Sequence, residues 1–525
     1  MSDTDSTWRP RANPWLIAVV VTVAAFMEVL DTTIVNVSLP HIAGSLSSSY
    51  DDATWALTSY LVANGIVLAI SGWLSDVFGR KRYFMICIGM FTVCSLLCGT
   101  SQSLPELIVF RLMQGFFGGG LQPNQQSIML DTFDKSRRGQ AMAVVSIATV
   151  IAPIIGPTLG GYITDNFSWR WVFFMNVPVG ILGLVGVGAL VEDPPWVKER
   201  RSRGIDYIGI SLLTLGLGGL EVVMDRGQDA DWLASRFIRV MAMIAAVSLL
   251  GAIGWLLTTD KPVLNIRVFA NRNFAVGAFM IGAMSFTLYS GAVLMPQFTQ
   301  QVLGYTAMQA GLILSPGGFV IILLIPFVTR SLPYIQTRNL VGIGFFVMGC
   351  SLLFSAKLEA DMSFDRLVLM RGAQTVGLAF MFVPISTIAF SSVPREMNGD
   401  AAAAYTMCRN VIGSIGISTA TSLVTQRTQI REAHLATWMT PLHRPFALLL
   451  QKTQATLLSQ GHAIGSLRQT AQGVLYQNFL KQSSVMAYSD VFRIFALVAF
   501  GLVPLTFLFT NFRPARGAKP MAGGH

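Results

Sequence analysis

Apolar residues in this chain do not alternate with polar ones at short range. They come in blocks of about 20 residues, the length a helix needs to cross the ~30 Å hydrocarbon core of a bilayer. Fourteen such blocks are marked, at 14–40, 54–76, 83–101, 105–130, 139–165, 170–191, 205–225, 236–258, 273–303, 308–329, 339–357, 364–392, 399–426 and 486–511. Inside lipid no water satisfies the backbone, so a spanning segment of this length must be helical. The expected fold is an all-α integral membrane protein with fourteen spans. Composition agrees: 12% of the 525 residues are charged, against about 25% in soluble domains.

The net charge of +10 would suit a nucleic-acid binder, but its carriers sit in the hinges between apolar blocks. Alternate hinges hold Arg80, Lys81 and Arg82, then Lys135, Arg137 and Arg138, then Lys198, Arg200, Arg201 and Arg203, then Lys261, Arg267 and Arg272. The hinges "HIAGSLSSSYDD" (41–52) and "SQSLP" (101–105) carry no Lys or Arg. The positive-inside rule accounts for this pattern, makes the bilayer the partner in place of nucleic acid, and puts both termini in the cytoplasm. The polar lead with Arg9 and Arg11 runs without a cleavage site into an uncleaved first span. The polar stretch at about 427–485 falls outside the cell and reads as a partly helical external loop.

Five cysteines (Cys87, Cys94, Cys98, Cys350 and Cys408) lie in apolar segments and read as buried thiols. The five histidines lack zinc spacing, and neither a phosphate-binding loop nor a serine-nucleophile elbow occurs. The expectation is a protein with no metal and no cofactor, and neither an ATP-driven pump nor an intramembrane hydrolase finds support.

The first span contains "MEVLDTTIVNVSLP" (27–40). At 1.5 Å per residue Glu28 lies roughly 21 Å from Pro14, near the bilayer midplane. Asp31, at i+3, shares its face, so both carboxylates can enter one cavity and exchange protons as a coupled pair. Intramembrane acids are functional by default; the other reading is a pair held by hydrogen bonds or an internal arginine for packing. Asn36 is a further polar candidate on this helix. Arg111 and Gln114 stand on one face of the fourth span, where Arg111 either joins a buried network or snorkels to the interface. "RLMQGFFGGGLQP" (111–123) is echoed by "RGAQTVGLAFMFVP" (371–384), which repeats Arg and Gln three residues apart as Arg371 and Gln374. Such an echo suits the internal repeats of transporters, and chance similarity is its rival. Arg409 and Asp400 lie on the thirteenth span. Glu221, Asp225 and Arg226, near the end of the seventh, read as an interfacial ion pair.

Two glycine-containing motifs remain. "GWLSDVFGRKR" (72–82) is a tight turn: Gly72 and Gly79 permit close approach, and Asp76 either charge-matches a helix N-terminus or holds a basic partner. With Arg80, Lys81 and Arg82 it reads as a charge latch on the cytoplasmic side, or as a simple topological anchor. In "APIIGPTLGGYI" (152–163), Pro157 removes a backbone hydrogen bond and Gly156, Gly160 and Gly161 allow close crossing. That bent helix either seals a path or is a small-residue packing face.

Taken in order, "LDTTIVNVSLP" (30–40), "GWLSDVFGRKR", "RLMQG" (111–115), "APIIGPTLGGYI" and "WRWVFFMNVP" (169–178) resemble the motifs of the major facilitator superfamily, in its fourteen-span drug:proton antiporter branch of the EmrB/QacA type. Ala152 stands where that branch has glycine, and Glu28 where it has a neutral glutamine. The resemblance implies two six-helix bundles, 1–191 and 261–525, with two inserted helices at 192–260. It implies a proton-coupled antiporter of the bacterial inner membrane that exports amphiphilic compounds, with Asp31 in coupling, Arg111 tuning it and the 152–161 stretch as the antiporter motif; Glu28 is a coupling candidate on its intramembrane position alone. It also implies a periplasmic adaptor (EmrA-like) and an outer-membrane channel, for which the external loop is the docking candidate. A narrow-specificity metabolite exporter, a symporter and a non-transporting scaffold or sensor are the alternatives.

Overall fold

The computed structural model describes residues 10–510 apart from 135–136, 196–205, 229, 261, 395–396, 441–442 and 461–465. The basic residues Lys135, Lys198, Arg200, Arg201, Arg203 and Lys261 lie outside the described residues. The longer helices are α1 (Pro14–Ser45), α2 (Trp55–Phe78), α3 (Arg80–Thr100), α4 (Leu104–Gly118), α5 (Leu121–Thr132), α6 (Arg138–Asn166), α7 (Asn176–Leu190), α8 (Tyr207–Arg226), α9 (Arg236–Thr258), α10 (Arg272–Gln297), α11 (Ala307–Ser331), α12 (Thr337–Ser355), α13 (Phe364–Ala379), α14 (Phe382–Ala389), α15 (Asn398–Ala436), α16 (Arg444–Ser459) and α17 (Leu467–Leu505).

Local chemistry starts several of them. Asn13 accepts from the Trp15 backbone N–H at 2.9 Å ahead of Pro14. Asp206 caps α8 through Gly209 and also accepts from Trp255 Nε1 on α9 at 2.8 Å. Thr306 and Gln309 form a reciprocal capping box on α11. Among the described residues, eleven helical segments are long and apolar enough to cross a membrane. The stretches 104–132, 138–166 and 398–436, richer in Gly, Pro and polar groups, stand beside them.

In the first half α1 packs on α6 and α7, and α4 packs on α2 and α3. In the second, α10 packs on α15, α12 on α13 and α17, and α11 on α13. The halves meet where α6 lies along α11 and α2 along α15. The α8–α9 pair packs on α2 at the periphery: 22% of the most apolar window of α9 is buried, against 67% in α1. Large apolar side chains such as Leu182, Leu250 and Leu323 stay exposed, as they must on a surface solvated by lipid.

The stretch at 427–485 is helical over much of its described length, in line with its apolar spacing: α15 runs on to Ala436, α16 packs on α17, and α17 begins at Leu467. Cys350 is exposed and Cys408 only partly buried, so the thiols are not all interior; all five are free. The charged groups near the end of α8 also reach neighbouring helices: Glu221 accepts from Ser414 of α15 at 3.0 Å, Asp225 accepts from Thr58 of α2, and Arg226 stacks on Trp55.

Candidate functional site

The fold turns both first-helix acids inward, with Glu28 3% and Asp31 1% exposed. Asp31 Oδ2 lies 2.5 Å from Arg111 Nη1. Its other oxygen accepts from Gln114 Nε2 at 3.2 Å and Asn176 Nδ2 at 2.7 Å. Arg111 also donates to the Ala56 carbonyl at 3.2 Å and to Gln114 Oε1 at 2.9 Å. Its guanidinium sits 4.1 Å from the centre of the Tyr60 ring. Full burial of Arg111 excludes the snorkelling reading.

Glu28 has a separate, uncharged set of hydrogen-bond donors. Oε1 accepts from Asn64 Nδ2 at 2.9 Å and Tyr60 OH at 3.4 Å, and Oε2 accepts from Gln122 Nε2. The two acids therefore do not share one partner as a simple carboxylate pair. Tyr60 joins their networks, its ring under Arg111 and its hydroxyl on Glu28. Asn176, Tyr60, Asn64 and Gln122 are the members that sequence reasoning missed. Asn176 lies in the quoted "WRWVFFMNVP", Tyr60 and Asn64 are one turn apart on α2, and Gln122 opens the polar run "QPNQQ" (122–126) inside an apolar block. Asn36 is exposed and stands outside this network.

The internal echo is matched in space. Arg371 Nη1 donates to Gln374 Oε1 at 2.9 Å, as Arg111 does to Gln114. Both stretches break soon afterwards, α4 at Gly118 and α13 at Ala379, each resuming three residues on. Arg371 is 1% exposed, so it too is interior. Arg409, on α15 and 1% exposed, reaches electrostatically across the halves to Glu28.

At one end of the molecule, Gly72 packs against the backbone of Gly399; a Cβ there would lie 3.1 Å from the Gly399 carbonyl. Asp76 is buried beside the N-terminus of α15, where a carboxylate meets the positive end of a helix. Gly79 takes φ +87° to link α2 to α3, a conformation that favours glycine. Arg80 pairs with Asp131, and Asp131 in turn accepts from Asn398 Nδ2 of α15 at 3.1 Å. Lys81 donates to the Gly188 carbonyl at 2.6 Å, while Arg82 is exposed. The three basic residues are thus not one cluster: Arg80 alone joins the contact between halves, through an acid that sequence reasoning did not single out.

In α6, which runs unbroken from Arg138 to Asn166, Ala152, Gly156, Gly160 and Gly161 are buried and Pro157 is partly so. A side chain at Gly156 would collide with Thr33, and one at Gly160 would press on Ile34. Thr158 faces the second half, its Oγ1 2.8 Å from Ser315 Oγ. Beside this helix, Val19, Val23, Phe26, Val144 and Ile151 line an apolar cavity of about 260 Å³ between α1 and α6. A smaller recess next to it reaches Gln122.

Two helical halves with repeated polar pairs, packed around a buried acid–arginine network, define a secondary-transporter fold. The chain belongs to the Major Facilitator Superfamily, whose family model matches residues 21–417. It is 35% identical over 493 residues to the multidrug export protein EmrB of Escherichia coli (strain K12), covering 93% of this chain and 94% of that protein. It is 34% identical over 526 residues to the probable multidrug resistance protein EmrY of the same organism, covering 99% of each. Among solved structures, the proton:xylose symporter XylE superposes with a TM-score of 0.57 at 14% identity, over 95% of this chain and 99% of that one.

Proposed function

We propose that this protein is a proton-coupled antiporter that exports amphiphilic compounds by alternating access, in a bacterial inner membrane. The buried Asp31–Arg111 pair carries this reading. An acid held by one cation and two amides at the core of a membrane protein costs stability, and a group that exchanges a proton between the two sides accounts for it. Asp31 is the coupling acid, Arg111 its modulator, and Glu28 a second acid joined to it through Tyr60. The Gly72–Arg80 region latches the cytoplasmic side, Ala152–Gly161 seals α6 against α1, and the cavity between α1 and α6 suits an apolar substrate moiety. Names of relatives such as EmrB, a multidrug export protein, support export of several compounds.

The same reading takes fourteen spans with both termini cytoplasmic, bundles at 1–191 and 261–525, inserted helices at 192–260, and the proton gradient as driving force without a cofactor. A periplasmic adaptor and an outer-membrane channel complete the pathway, with the 427–485 projection as docking surface. Deleting that projection should abolish co-purification with the adaptor, and unchanged co-purification would remove that surface from the proposal.

Vesicles with an imposed pH gradient test the coupling. Wild type should move a fluorescent lipophilic cation, Asp31→Asn should abolish the gradient-driven component, and Glu28→Gln should show whether the second acid shares the task. Full pH coupling in both variants would place the proton site elsewhere.

A further inference from the structure

Both halves carry the buried arginine–glutamine pair, but among the described residues only the first supplies it with an acid. Arg111 has Asp31 on Nη1 and the Ala56 carbonyl on Nε, and only its Nη2 is without a hydrogen bond. Arg371 has Gln374 on Nη1 and nothing on Nε or Nη2, although the residue is 1% exposed. Where the first helix of the half would bring a carboxylate, α10 brings Gly291; a Cβ there would lie 3.0 Å from Arg371 Nη1 and 3.4 Å from Gln374 Oε1. Helices α10, α11 and α12 contain no Asp or Glu at all, and Asp365 lies more than a turn away at the start of α13. Arg409 also has unpartnered Nη atoms, but it has Glu28 within electrostatic reach. No carboxylate is recorded against Arg371 among the described residues.

A buried guanidinium without a counter-charge is strongly unfavourable, and an ionisable group at this depth marks a functional site. Nε and Nη2 form one edge of the guanidinium, whose two parallel donors match the two oxygens of a carboxylate. Gln374 is itself held by Ser355 Oγ at 2.8 Å, so the fork is fixed in place. Gly291 brings no side chain to the Nη1 side, where Gln374 already sits.

We infer that Arg371, Gln374 and Gly291 form an anion site for the headgroup of a carboxylate-bearing amphiphile, the substrate's charge taking the part in the second half that Asp31 plays in the first. This rests on reading the chain as an exporter of amphiphiles. The site is enclosed in the present conformation, and the headgroup enters when the halves move apart.

Binding to the purified full-length protein tests it, with dodecanoate as probe and dodecanol and dodecyltrimethylammonium as matched controls. Dodecanoate should bind roughly 10- to 100-fold tighter than dodecanol, as a charge-assisted bidentate contact implies. Arg371→Gln should reduce dodecanoate to the level of dodecanol, and Arg371→Lys should recover part of the difference. The melting temperature of Arg371→Gln, which removes a buried charge that has no counter-charge, should be unchanged or raised. That measurement separates lost binding from lost folding. Equal dodecanoate binding by wild type and Arg371→Gln would overturn the site, as would chloride alone matching dodecanoate in stabilising the wild type. Gradient-driven cation transport with no dodecanoate preference would sink the site and leave the export reading standing. Arg371-dependent binding in a protein that moves no amphiphile would do the reverse.

Discussion

Asp31 and Glu28 differ by three positions, yet the side chains around them make them unlike. Asp31 balances a buried arginine, so Asp31→Asn leaves Arg111 without its counter-charge. Loss of about 3–5 kcal/mol is expected for one partner of a buried pair. Glu28 takes its hydrogen bonds from two amides and a phenol. Amide groups can turn to offer oxygen in place of nitrogen, so Glu28→Gln should cost only about 1 kcal/mol. Thermal unfolding of the two purified variants in one detergent checks the contrast; equal destabilisation would mean that the acids share one network after all. The sequence made the acids legible because charges stand out in an apolar run. Asn176, Tyr60 and Gln122 stayed hidden because single neutral polar residues are common in spanning helices, and only their convergence marks them.

At the scale of elements, small residues place the helix contacts. Gly72 lets α2 touch the backbone of α15, and Gly156 and Gly160 let α6 touch α1. Gly72→Leu would drive a branched side chain into the Gly399 backbone and force the α2–α15 contact open at the Asp76 end. On a background without native cysteines, a cysteine at the fully buried Ala402 should then label several-fold faster with a membrane-impermeant maleimide from that side. Labelling at the wild-type rate would show that the contact tolerates the change. The glycine motifs were readable from the chain, but their partners were not. Thr33, Ile34 and Gly399 carry no local signal that a neighbouring helix will touch them.

Across the whole molecule, the halves touch at both ends of α6, through Gly139 against Leu332 and Thr158 against Ser315 and Gly311. The alternating access proposed above requires one of these ends to part. Cysteines replacing Thr158 and Ser315, on the same cysteine-free background, should form a disulfide readily, since the native oxygens are 2.8 Å apart. Oxidation should arrest transport and reductant should restore it. Transport undiminished by a completed cross-link would mean that this contact persists through the cycle.

What the sequence by itself determined is the class of molecule: about 20-residue apolar blocks admit only spanning helices, because lipid offers the backbone no other hydrogen-bond partners. The hinge charges, the first-helix acids and the Arg–Gln echo were equally local and equally legible. Only the tertiary structure decided which groups meet. It gave Asp31 to Arg111, Glu28 to α2 and α5, and Arg80 to Asp131. It also put Gly291 where the second arginine has no acid. Those pairings join residues far apart along the chain, and helix periodicity says which face a residue occupies without saying which helix will lie against it.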